Sequence, residues 1–464
     1  MKKEEILNFL EEHQQGHILA HYETLDTKEK VAFLENISSL NLSLVFTLYK
    51  KEIEKKKPHS LSIPSLEPGP VITFFETKEE LERRRILQEE GESFLRDNRL
   101  AILIVAGGQG SRLGFDGPKG AYPITPVRKK PLFQLFAETV LALSRRYRSE
   151  IPLLIMTSPE NDLAVKNFFQ KNGFFGLSCD KVFFFQQEML PTISPNGNLL
   201  LKDRLHLFVN PDGHGGALKA IYRSGLLSEL ISKGFTDLFY CQVDNPLAKI
   251  ADPVFLGYHL QEKSEFSLKV VRRRKEEKIG LYLCVDGKPT VIEYSDLPLW
   301  QMGCSGKRVE WNHFWAGSIA IHIISLSFIE RLNKSGFQLP YHRAVKTVNV
   351  LKKGEAKGET TAWKFETFVF DALPAAKKSC CIEVLRKEEF APVKNRVGED
   401  SPETAKAAMV ARFTRWLSAA GVNVSPGVQV EISPLFALDE EELKCKVVKA
   451  GLKTIEADLY LANS

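Results

Sequence analysis

From Leu100 onward, short apolar segments alternate with longer segments of helical periodicity. The apolar segments are "LAILIVA", "IPLLIMTS", "KVFFFQQ", "DLFYCQVD" and "SLKVVRR". Their hydrophobicity is continuous rather than alternating, which indicates strands buried on both faces, as in a parallel sheet covered by helices. We therefore predict an α/β, Rossmann-like fold with a central, mainly parallel mixed sheet flanked by helices. Ligands of such sheets bind beyond the carboxyl ends of the strands.

Glycines mark the boundaries of several of these elements. The helical segment "ENDLAVKNFFQKNG" ends at Gly173, and "GGALKAIYRSGLLSELISKG" ends at Gly234. Glycine commonly follows the last turn of a helix because it tolerates the left-handed conformation there. The segment "GLYLCVDGKPTVIEYS" instead predicts a hairpin that turns at Asp286-Gly287.

The N-terminal part of the chain has a different character. Its first 57 residues have a helical pattern, with an N-cap at Asp26 and an apolar stripe through Val31, Leu34 and Ile37. Residues 58–70 are rich in proline and serine, which indicates a surface connection.

A capping-box pattern of Thr77 and Glu80 then predicts a helix to about Arg96. Beyond residue 395, "SPETAKAAMVARFTRWLSAAG" predicts a helix, and a valine-rich segment with strand character follows. We expect three regions: a helical N-terminal region (1–98), a central α/β domain (99–395) and a small C-terminal α/β region (396–464).

Composition argues against several classes of protein. The chain has 464 residues with 63 Lys+Arg and 58 Asp+Glu, and its net charge of +5 is dispersed, which does not favour nucleic acid as a partner. Its seven cysteines show no CxxC or His-spaced pattern, so neither a disulfide framework nor a zinc site is predicted. The acidic start "MKKEEILNFLEEHQQ" does not fit a signal peptide, and no apolar stretch has the length of a membrane span. We expect a soluble, cytoplasmic protein without a membrane partner, and the sequence specifies no oligomeric state.

The glycine-rich stretch "VAGGQGSRLGFDGPKG", Val105 to Gly120, follows the first apolar segment. A glycine-rich turn at a strand end exposes backbone N–H groups to an anion, and phosphate is the obvious candidate. The common fingerprints do not fit, because a G-x-G-x-x-G pattern from Gly108 meets Leu113 at its last position and the chain has no Walker lysine. Arg112 and Lys119 could balance the charge of a triphosphate, although a tight turn with solvated basic residues has the same pattern.

The longer stretch "AGGQGSRLGFDGPKGAYPI" resembles the nucleotide-binding loop of the eukaryotic-type UDP-N-acetylglucosamine pyrophosphorylases, which are nucleotide-diphospho-sugar transferases of the UDPGP type 1 family. Further blocks resemble that family in the same order, over roughly residues 80 to 410: "FFQQEMLP", "PDGHGGALKAI", "CQVDNPLAKIADPVFLGY", "VIEYSD", "ETFVFDAL" and "EVLRKEEFAPVKN". The resemblance implies a uridylyltransferase that forms UDP-sugar and pyrophosphate from UTP and a sugar 1-phosphate with Mg²⁺. N-acetylglucosamine 1-phosphate is the expected acceptor.

The resemblance also implies a set of site residues. The expected catalytic residues are Arg112, Lys119 and Lys394. The expected nucleotide-binding residues are Val105, Ala106, Gly107, Gly108, Lys119, Gln187, Gly213, Asp244 and Lys364. The expected sugar-binding residues are His214, Glu293, Tyr294, Ser318 and Lys394, and the expected Mg²⁺ ligands are Asp244 and Asp371.

The position of Asp244 in the sequence also suggests a role without the resemblance. It follows an apolar strand, where one carboxylate can hold Mg²⁺ that is bound to phosphate oxygens. The same residue could equally cap a helix over "NPLAKIADP". The reaction itself calls for no general base, because the phosphate oxygen of the sugar 1-phosphate is already anionic and can attack the α-phosphorus in line.

The sequence departs from the family where the sugar is expected to bind. In "HFWAGSIAIH", Trp315, Ser318 and Ile321 stand at positions of family asparagines, and His214 also replaces an asparagine. An indole could fill the space of an acetamido group and favour glucose or galactose 1-phosphate, or it could be a core residue.

Two classes of function are therefore considered. The first is an active uridylyltransferase, with a UDP-glucose or broad UDP-sugar pyrophosphorylase as the alternative. The second is a catalytically silent UDP-sugar-binding protein. The enzyme is favoured by the presence of Arg112, Lys119, Asp244, Lys364 and Lys394, because a pure binder does not need cations around a leaving pyrophosphate.

Overall fold

The computed structural model describes residues 3–54, 65–73, 77–275, 277–297, 313–337, 339–352 and 357–463. Its helices are α1 (Lys3–Glu12), α2 (Gly16–Glu23), α3 (Thr27–Ser38), α4 (Leu42–Glu54), α5 (Lys78–Arg96), α6 (Leu132–Tyr147), α7 (Asp162–Lys171), α8 (Gly216–Arg223), α9 (Leu226–Ser232), α10 (Pro253–Gln261), α11 (Leu326–Lys334), α12 (Arg386–Glu389), α13 (Pro402–Ala419) and α14 (Glu440–Lys449).

The strands are β1 (Leu66–Pro68), β2 (Leu100–Val105), β3 (Leu153–Thr157), β4 (Val182–Gln186), β5 (Met189–Pro191), β6 (Val209–Pro211), β7 (Asp237–Gln242), β8 (Phe266–Arg272), β9 (Leu281–Val285), β10 (Lys288–Ile292), β11 (Ala316–Ser325), β12 (His342–Leu351), β13 (Lys357–Glu366), β14 (Ser379–Glu383), β15 (Asn423–Val424), β16 (Val430–Ile432), β17 (Thr454–Ile455) and β18 (Leu459–Leu461).

The central sheet has the predicted parallel core. β2 pairs in parallel with β7 on one side and β3 on the other, and β3 pairs in parallel with β4. Leu103 of β2, for example, lies between Tyr240 and Leu154 and is fully buried. The five apolar segments therefore form strands as predicted. Burial on both faces explains the continuous hydrophobicity of β2, β3, β7 and β8, whereas β4 at the edge of the sheet is only partly buried.

The other half of the same sheet is mainly antiparallel. β11 pairs antiparallel with β7, β8 and β9, while β8 also pairs in parallel with β14. The hairpin of β9 and β10 turns at Asp286 and Gly287, with φ values of 49° and 75°. Two successive positive φ angles are typical of the type I′ turn that suits the twist of a hairpin, so this prediction is confirmed.

The described chain forms two compact units. The larger unit, made of Ile63–Gln186, Lys219–Phe337 and Ala372–Ser464, holds the central sheet and the C-terminal elements. The smaller unit, made of Met1–Ser62, Gln187–Leu218 and Gln338–Asp371, holds α1–α4 and the hairpins β5–β6 and β12–β13. Its core is one cluster of buried residues that includes Phe33 from the helices and Leu190, Trp363 and Phe365 from the hairpins. The predicted regional boundaries at residues 98 and 395 stay a prediction.

Side-chain caps begin several helices. The predicted cap Asp26 forms a capping box with Glu29 at α3. At α5 the Thr77 side chain accepts the Glu80 N–H as predicted, while Glu80 Oε1 accepts from Arg84 and Tyr258. Ser401, which was not predicted as a cap, caps α13, and the small parallel pairs β15–β17 and β16–β18 lie in the C-terminal region. The lysines at 55–57 lie outside the described residues, and so do residues 58–64 of the predicted surface connection at 58–70.

Two details of the predicted helices are wrong. Val31 is not part of the buried stripe of α3, since 55% of it is exposed, and Phe33 takes its place beside Ile37. The predicted helix that ends at Gly234 is two helices, α8 and α9, because Gly225 between them has a φ of +81°. That left-handed conformation interrupts a right-handed helix.

Among the described residues, no single helix is both long enough and apolar enough to cross a membrane. Taken as one segment, α3 and α4 are long enough and apolar enough, but the chain bends by 58° between them.

Candidate active site

The glycine-rich stretch forms a closed loop at the carboxyl end of β2. The N–H of Gly110 donates to Gly117 O (2.8 Å), and the N–H of Lys119 donates to Gly108 O (3.2 Å). A Cβ at Gly108 would meet no atom within 4 Å. Within the described residues, the N–H groups of Gly107 and Gly108 have no hydrogen-bond acceptor. The loop therefore presents free backbone donors beside open space, as an anion site requires.

Lys119 and Asp244 form an ion pair at this edge of the sheet. Lys119 Nζ lies 2.9 Å from Asp244 Oδ2, and the two side chains are only 17% and 14% exposed. Asp244 is close because β7, which it follows by two residues, is the parallel neighbour of β2. The alternative that Asp244 caps a helix over "NPLAKIADP" is wrong, since residues 245–252 are not helical and α10 begins at Pro253.

The segment that carries Lys394 is attached to the same strand end. The N–H of Val393 donates to Asp244 O (2.8 Å). The buried Asn245 amide donates to Glu389 O (2.7 Å) and accepts from the Ala391 N–H (3.1 Å). Lys394 Nζ lies 3.6 Å from Asp400 Oδ2 and is partly exposed. The structure thus brings the backbones of Asp244 and Lys394 together although 150 residues separate them in sequence.

A buried group of charges supports this segment. Lys269 Nζ, whose side chain is 0% exposed, lies 2.8 Å from Asp252 Oδ2 and 2.6 Å from Glu389 Oε2. Lys249 Nζ lies 2.9 Å from Asp252 Oδ1. Burial raises the pKa of Glu389, whereas the charges of Lys249 and Lys269 outweigh burial and lower the pKa of Asp252. Sequence reasoning missed Asn245 and Lys269, because a buried lysine is recognised only from its partners.

Two arginines lie at the glycine loop. Arg112 is exposed and belongs to a short 3₁₀ turn within the loop, Ser111–Leu113. The guanidinium of Arg396 lies over Gly114, where a Cβ would come within 3.3 Å of Arg396 Nε. Arg396 was not predicted, and its position two residues after Lys394 was the only sequence signal for it.

The larger unit also groups two of the expected sugar-binding residues, Glu293 and Ser318, around Gly280. The N–H of Ser318 donates to Gly280 O (2.9 Å), and a Cβ at Gly280 would lie 3.3 Å from Glu293 Oε2. Ser318 is only 8% exposed, and its Oγ has no hydrogen-bond partner among the described residues. Tyr294 next to Glu293 is 40% exposed. A buried hydroxyl without a partner costs stability, which is a typical feature of a binding position.

Trp315 lies three residues before Ser318. Arg272 stacks over its ring, with Cζ 4.7 Å from the centroid, and Arg272 Nε pairs with Glu383 at 2.8 Å. The indole is half-buried, so it is neither a fully enclosed core residue nor a free surface residue.

The remaining predicted site residues lie in the smaller unit. Gly213 has a φ of +89°, and a Cβ there would lie 2.3 Å from Thr367 O, so no other residue fits this close approach. His214 Nδ1 accepts the N–H of Val369 (3.2 Å), while Gln187 is buried and its amide makes no hydrogen bond within the described residues.

Lys364 and Asp371 belong to the same unit, and each has a partner there. Lys364 forms an ion pair with Glu366. Asp371 Oδ2 accepts from His342 Nε2 (2.9 Å) and from the Phe368 N–H (3.2 Å). The described residues contain no group of three or more His, Cys, Asp or Glu side chains that could hold a metal ion.

Comparison with known proteins identifies the family. Residues 43–460 match the family model described as UTP–glucose-1-phosphate uridylyltransferase. The chain is 32% identical to UDP-N-acetylglucosamine diphosphorylase 2 of Arabidopsis thaliana over 94% of its length and 90% of that protein. It is also 32% identical to UDP-N-acetylglucosamine pyrophosphorylase of Saccharomyces cerevisiae, over 92% of its length and 94% of that protein. 

The fold is also found in solved structures. The structure of uridine diphosphate N-acetylglucosamine pyrophosphorylase from Trypanosoma brucei superimposes with a TM-score of 0.82 at 24% identity, over 99% of both chains. The match to the family model covers most of the chain, including the glycine loop and the strand end that carries Asp244. The chain therefore belongs to the UTP–glucose-1-phosphate uridylyltransferase family of nucleotidyltransferases.

Proposed function

We propose that this protein transfers the uridylyl group of UTP to N-acetylglucosamine 1-phosphate and releases pyrophosphate. The observation that carries the proposal is the half-buried Lys119–Asp244 pair beside a loop with free N–H groups. The relatives named above, which share about a third of their residues with nearly the whole chain, support the choice of both substrates.

The proposed reaction is an in-line displacement at the α-phosphorus. An oxygen of the sugar phosphate forms the new P–O bond, the bond from the α-phosphorus to the oxygen bridging to the β-phosphorus breaks, and the electron pair leaves with pyrophosphate. The N–H groups of Gly107 and Gly108 would orient the triphosphate, and Lys119, Arg112 and Arg396 would offset its charge. The nucleophilic phosphate oxygen is already anionic, so the proposed reaction needs no general base.

Mg²⁺ fits the donor set around Asp244. Mg²⁺ at phosphates is held by one or two carboxylates, with the other positions filled by phosphate oxygens and water. Asp244 supplies one half-buried carboxylate, which agrees with the lack of a larger acidic group among the described residues. When bound there, the ion would neutralise charge on the phosphates. Asp371, whose Oδ2 already accepts two hydrogen bonds, stays a predicted second ligand.

Replacing Asp244 by asparagine is expected to weaken the response to Mg²⁺. The amide keeps the size of the side chain but removes the charge that attracts the ion. We expect the Mg²⁺ concentration for half-maximal rate to rise by about tenfold or more, in the range seen when metal-site groups are changed. A magnesium titration of the initial rate measures it, and the exposed Asp97 at the end of α5, changed to asparagine, is the matched control. An unaltered titration of the Asp244 variant would remove this residue from the ligand set.

The acceptor preference is expected to depend on Trp315 and Ser318. If both residues line the sugar pocket, the pocket lacks amides that would pair with an acetamido group, and an unpaired buried amide costs about 1–3 kcal/mol. The kcat/KM for glucose 1-phosphate should then lie within about 10- to 100-fold of the kcat/KM for N-acetylglucosamine 1-phosphate. Trp315→Asn combined with Ser318→Asn should shift the ratio toward N-acetylglucosamine 1-phosphate. The ratio of kcat/KM for the two sugars is measured in both proteins, and an unchanged ratio would place these residues outside the pocket.

A panel of nucleotides and sugar 1-phosphates tests the proposed function. Pyrophosphate release is measured with UTP, ATP, CTP or GTP, each with N-acetylglucosamine, glucose or galactose 1-phosphate and Mg²⁺. We expect turnover with UTP and a preference for N-acetylglucosamine 1-phosphate. Equal turnover with ATP would contradict the uridine site, a preference for glucose 1-phosphate would favour the alternative activity, and no release with any pair would indicate a silent binding protein.

A further inference from the structure

Two buried asparagine side chains lie at the strand ends on either side of the glycine loop. Asn161 follows β3 and is 1% exposed, and Asn245 follows β7 and is 3% exposed. These two strands are the parallel neighbours of β2, which leads into the glycine loop. A buried amide costs stability unless its N–H and carbonyl groups have hydrogen-bond partners. The partners of each amide therefore show which part of the site it holds.

The Asn161 amide fastens the glycine loop to the end of β3. Its Nδ2 donates to Ala106 O (2.9 Å) and to Gly108 O (3.4 Å). Its Oδ1 accepts the N–H of Ser158 (2.8 Å). Two N–H donors and one acceptor are what an asparagine amide offers, whereas a carboxylate of the same shape has no donor for the two loop carbonyls.

These contacts set the direction of the backbone donors in the loop. In a planar trans peptide the C=O and N–H groups point in opposite directions. The carbonyl of Ala106 is directed at Asn161, so the N–H of Gly107 is directed away from it, and the carbonyl of Gly108 orients the N–H of Gln109 in the same manner. In the part of the chain that the structure describes, neither N–H has a hydrogen-bond acceptor. Asn161 thus holds the N–H groups that the triphosphate would meet.

The Asn245 amide joins the end of β7 to a segment far along the chain. Its Nδ2 donates to Glu389 O (2.7 Å), and its Oδ1 accepts the N–H of Ala391 (3.1 Å). The N–H of Val393 donates to Asp244 O (2.8 Å) beside it. Three hydrogen bonds therefore fix the position of this segment relative to the Asp244 backbone.

We propose that Asn161 and Asn245 are positioning residues of the uridylyl-transfer site and that each acts on a different substrate. Asn161 would orient the backbone donors for the phosphates of UTP. Asn245 would hold Lys394, which follows Val393, in place for the phosphate of the acceptor. Both amides are too deeply buried to touch a substrate, so they would act by fixing these groups before the substrates bind. The inference rests on the proposed function.

The two substrates are expected to respond differently to the two substitutions. Initial rates are measured at saturating Mg²⁺ with each substrate varied in turn. We expect Asn161→Ala to raise KM for UTP by about tenfold or more, the scale seen when groups that orient a ligating residue are removed, and to change KM for the sugar 1-phosphate by less than about twofold. Asn245→Ala should show the opposite pattern. A purely structural role would lower stability without separating the two KM values.

Two further sets of variants support this comparison. Asn36 of α3 is half-buried and accepts the N–H of Leu207 (3.1 Å) within the smaller unit, so Asn36→Ala is the matched control. It should lower the melting temperature and leave both KM values unaltered. If an alanine variant does not fold, Asn161→Ser and Asn245→Ser keep one hydroxyl for hydrogen bonding and should show the same pattern with smaller changes.

A double-mutant cycle tests whether Asn245 acts through Lys394. If it does, Asn245→Ala should lower kcat/KM for the sugar 1-phosphate much less in a Lys394→Ala background than in the natural protein. Additive losses, or equal changes of the two KM values, would overturn the proposal for Asn245.

Binding of pyrophosphate tests Asn161 without turnover. Isothermal titration calorimetry at one fixed Mg²⁺ concentration should show that Asn161→Ala binds pyrophosphate about tenfold more weakly than the natural protein does. An unaltered affinity would overturn the proposal for Asn161. Failure of the proposed uridylyl transfer would instead appear as no pyrophosphate release by the natural protein with any substrate pair.

Discussion

Replacing Lys119 by alanine is expected to lower kcat for UDP-sugar formation by about two to three orders of magnitude. The loss of one preorganised electrostatic contact to a transition state has this size in other enzymes. The structure gives the reason: the ammonium group is fixed by Asp244 at 2.9 Å and is largely shielded from water, so its charge acts with little screening. Initial rates at saturating UTP and sugar 1-phosphate measure the effect.

Two controls separate chemistry from folding in this experiment. Lys171→Ala removes an exposed lysine at the end of α7 and should leave kcat unaltered. The thermal melting temperature of the Lys119 variant should stay close to that of the natural protein, since a loop lysine contributes little to the core. A folded Lys119 variant with full kcat would show that this lysine is only part of a structural ion pair.

Local sequence features were sufficient to predict the sheet-edge part of the candidate site. Continuous apolar segments predicted the buried strands, and the glycine-rich turn predicted after the first of them lies at the carboxyl end of β2. The position of Asp244 also followed, because parallel strands end at the same edge of the sheet. In each case, the decisive signal lay within about ten residues of the feature it predicted.

The features that sequence reasoning missed depend on contacts between distant parts of the chain. The amide of Asn245 is informative only once Glu389 and Ala391 are known to lie beside it. Arg396 gains its significance from packing over Gly114. Periodicity likewise predicted a helix across Gly225 because the apolar spacing continues through it, and only the φ angle shows the break. Val31 also fits the helical period of α3, but it is exposed. The periodicity alone did not show that Phe33 rather than Val31 faces the core.

Lys269 provides the sharpest test of the buried contacts that support the Lys394 segment. Lys269→Met is expected to lower the free energy of unfolding by about 3–5 kcal/mol, because it leaves buried carboxylates without their shared cation. Lys249 still neutralises Asp252, so the unpaired charge falls on Glu389. Urea unfolding at pH 7 measures the change, and Lys288→Met, at an exposed position of β10, is the matched control.

Two ways of restoring stability to the Lys269→Met variant show whether its loss comes from charge or from packing. Adding Glu389→Gln to Lys269→Met should restore part of the stability, because the second change removes the unpaired buried charge. Lower pH should act in the same direction. Burial raises the pKa of Glu389 above its unfolded value even with Lys269 present, so the folded state binds this proton more tightly than the unfolded chain. Without Lys269 that difference grows, and the deficit relative to the natural protein should shrink as pH falls from 7 toward 5. If neither the second substitution nor the lower pH reduced the deficit, the loss would come from packing rather than from charge, and Lys269 would not be the group that holds Glu389 and the segment leading to Lys394.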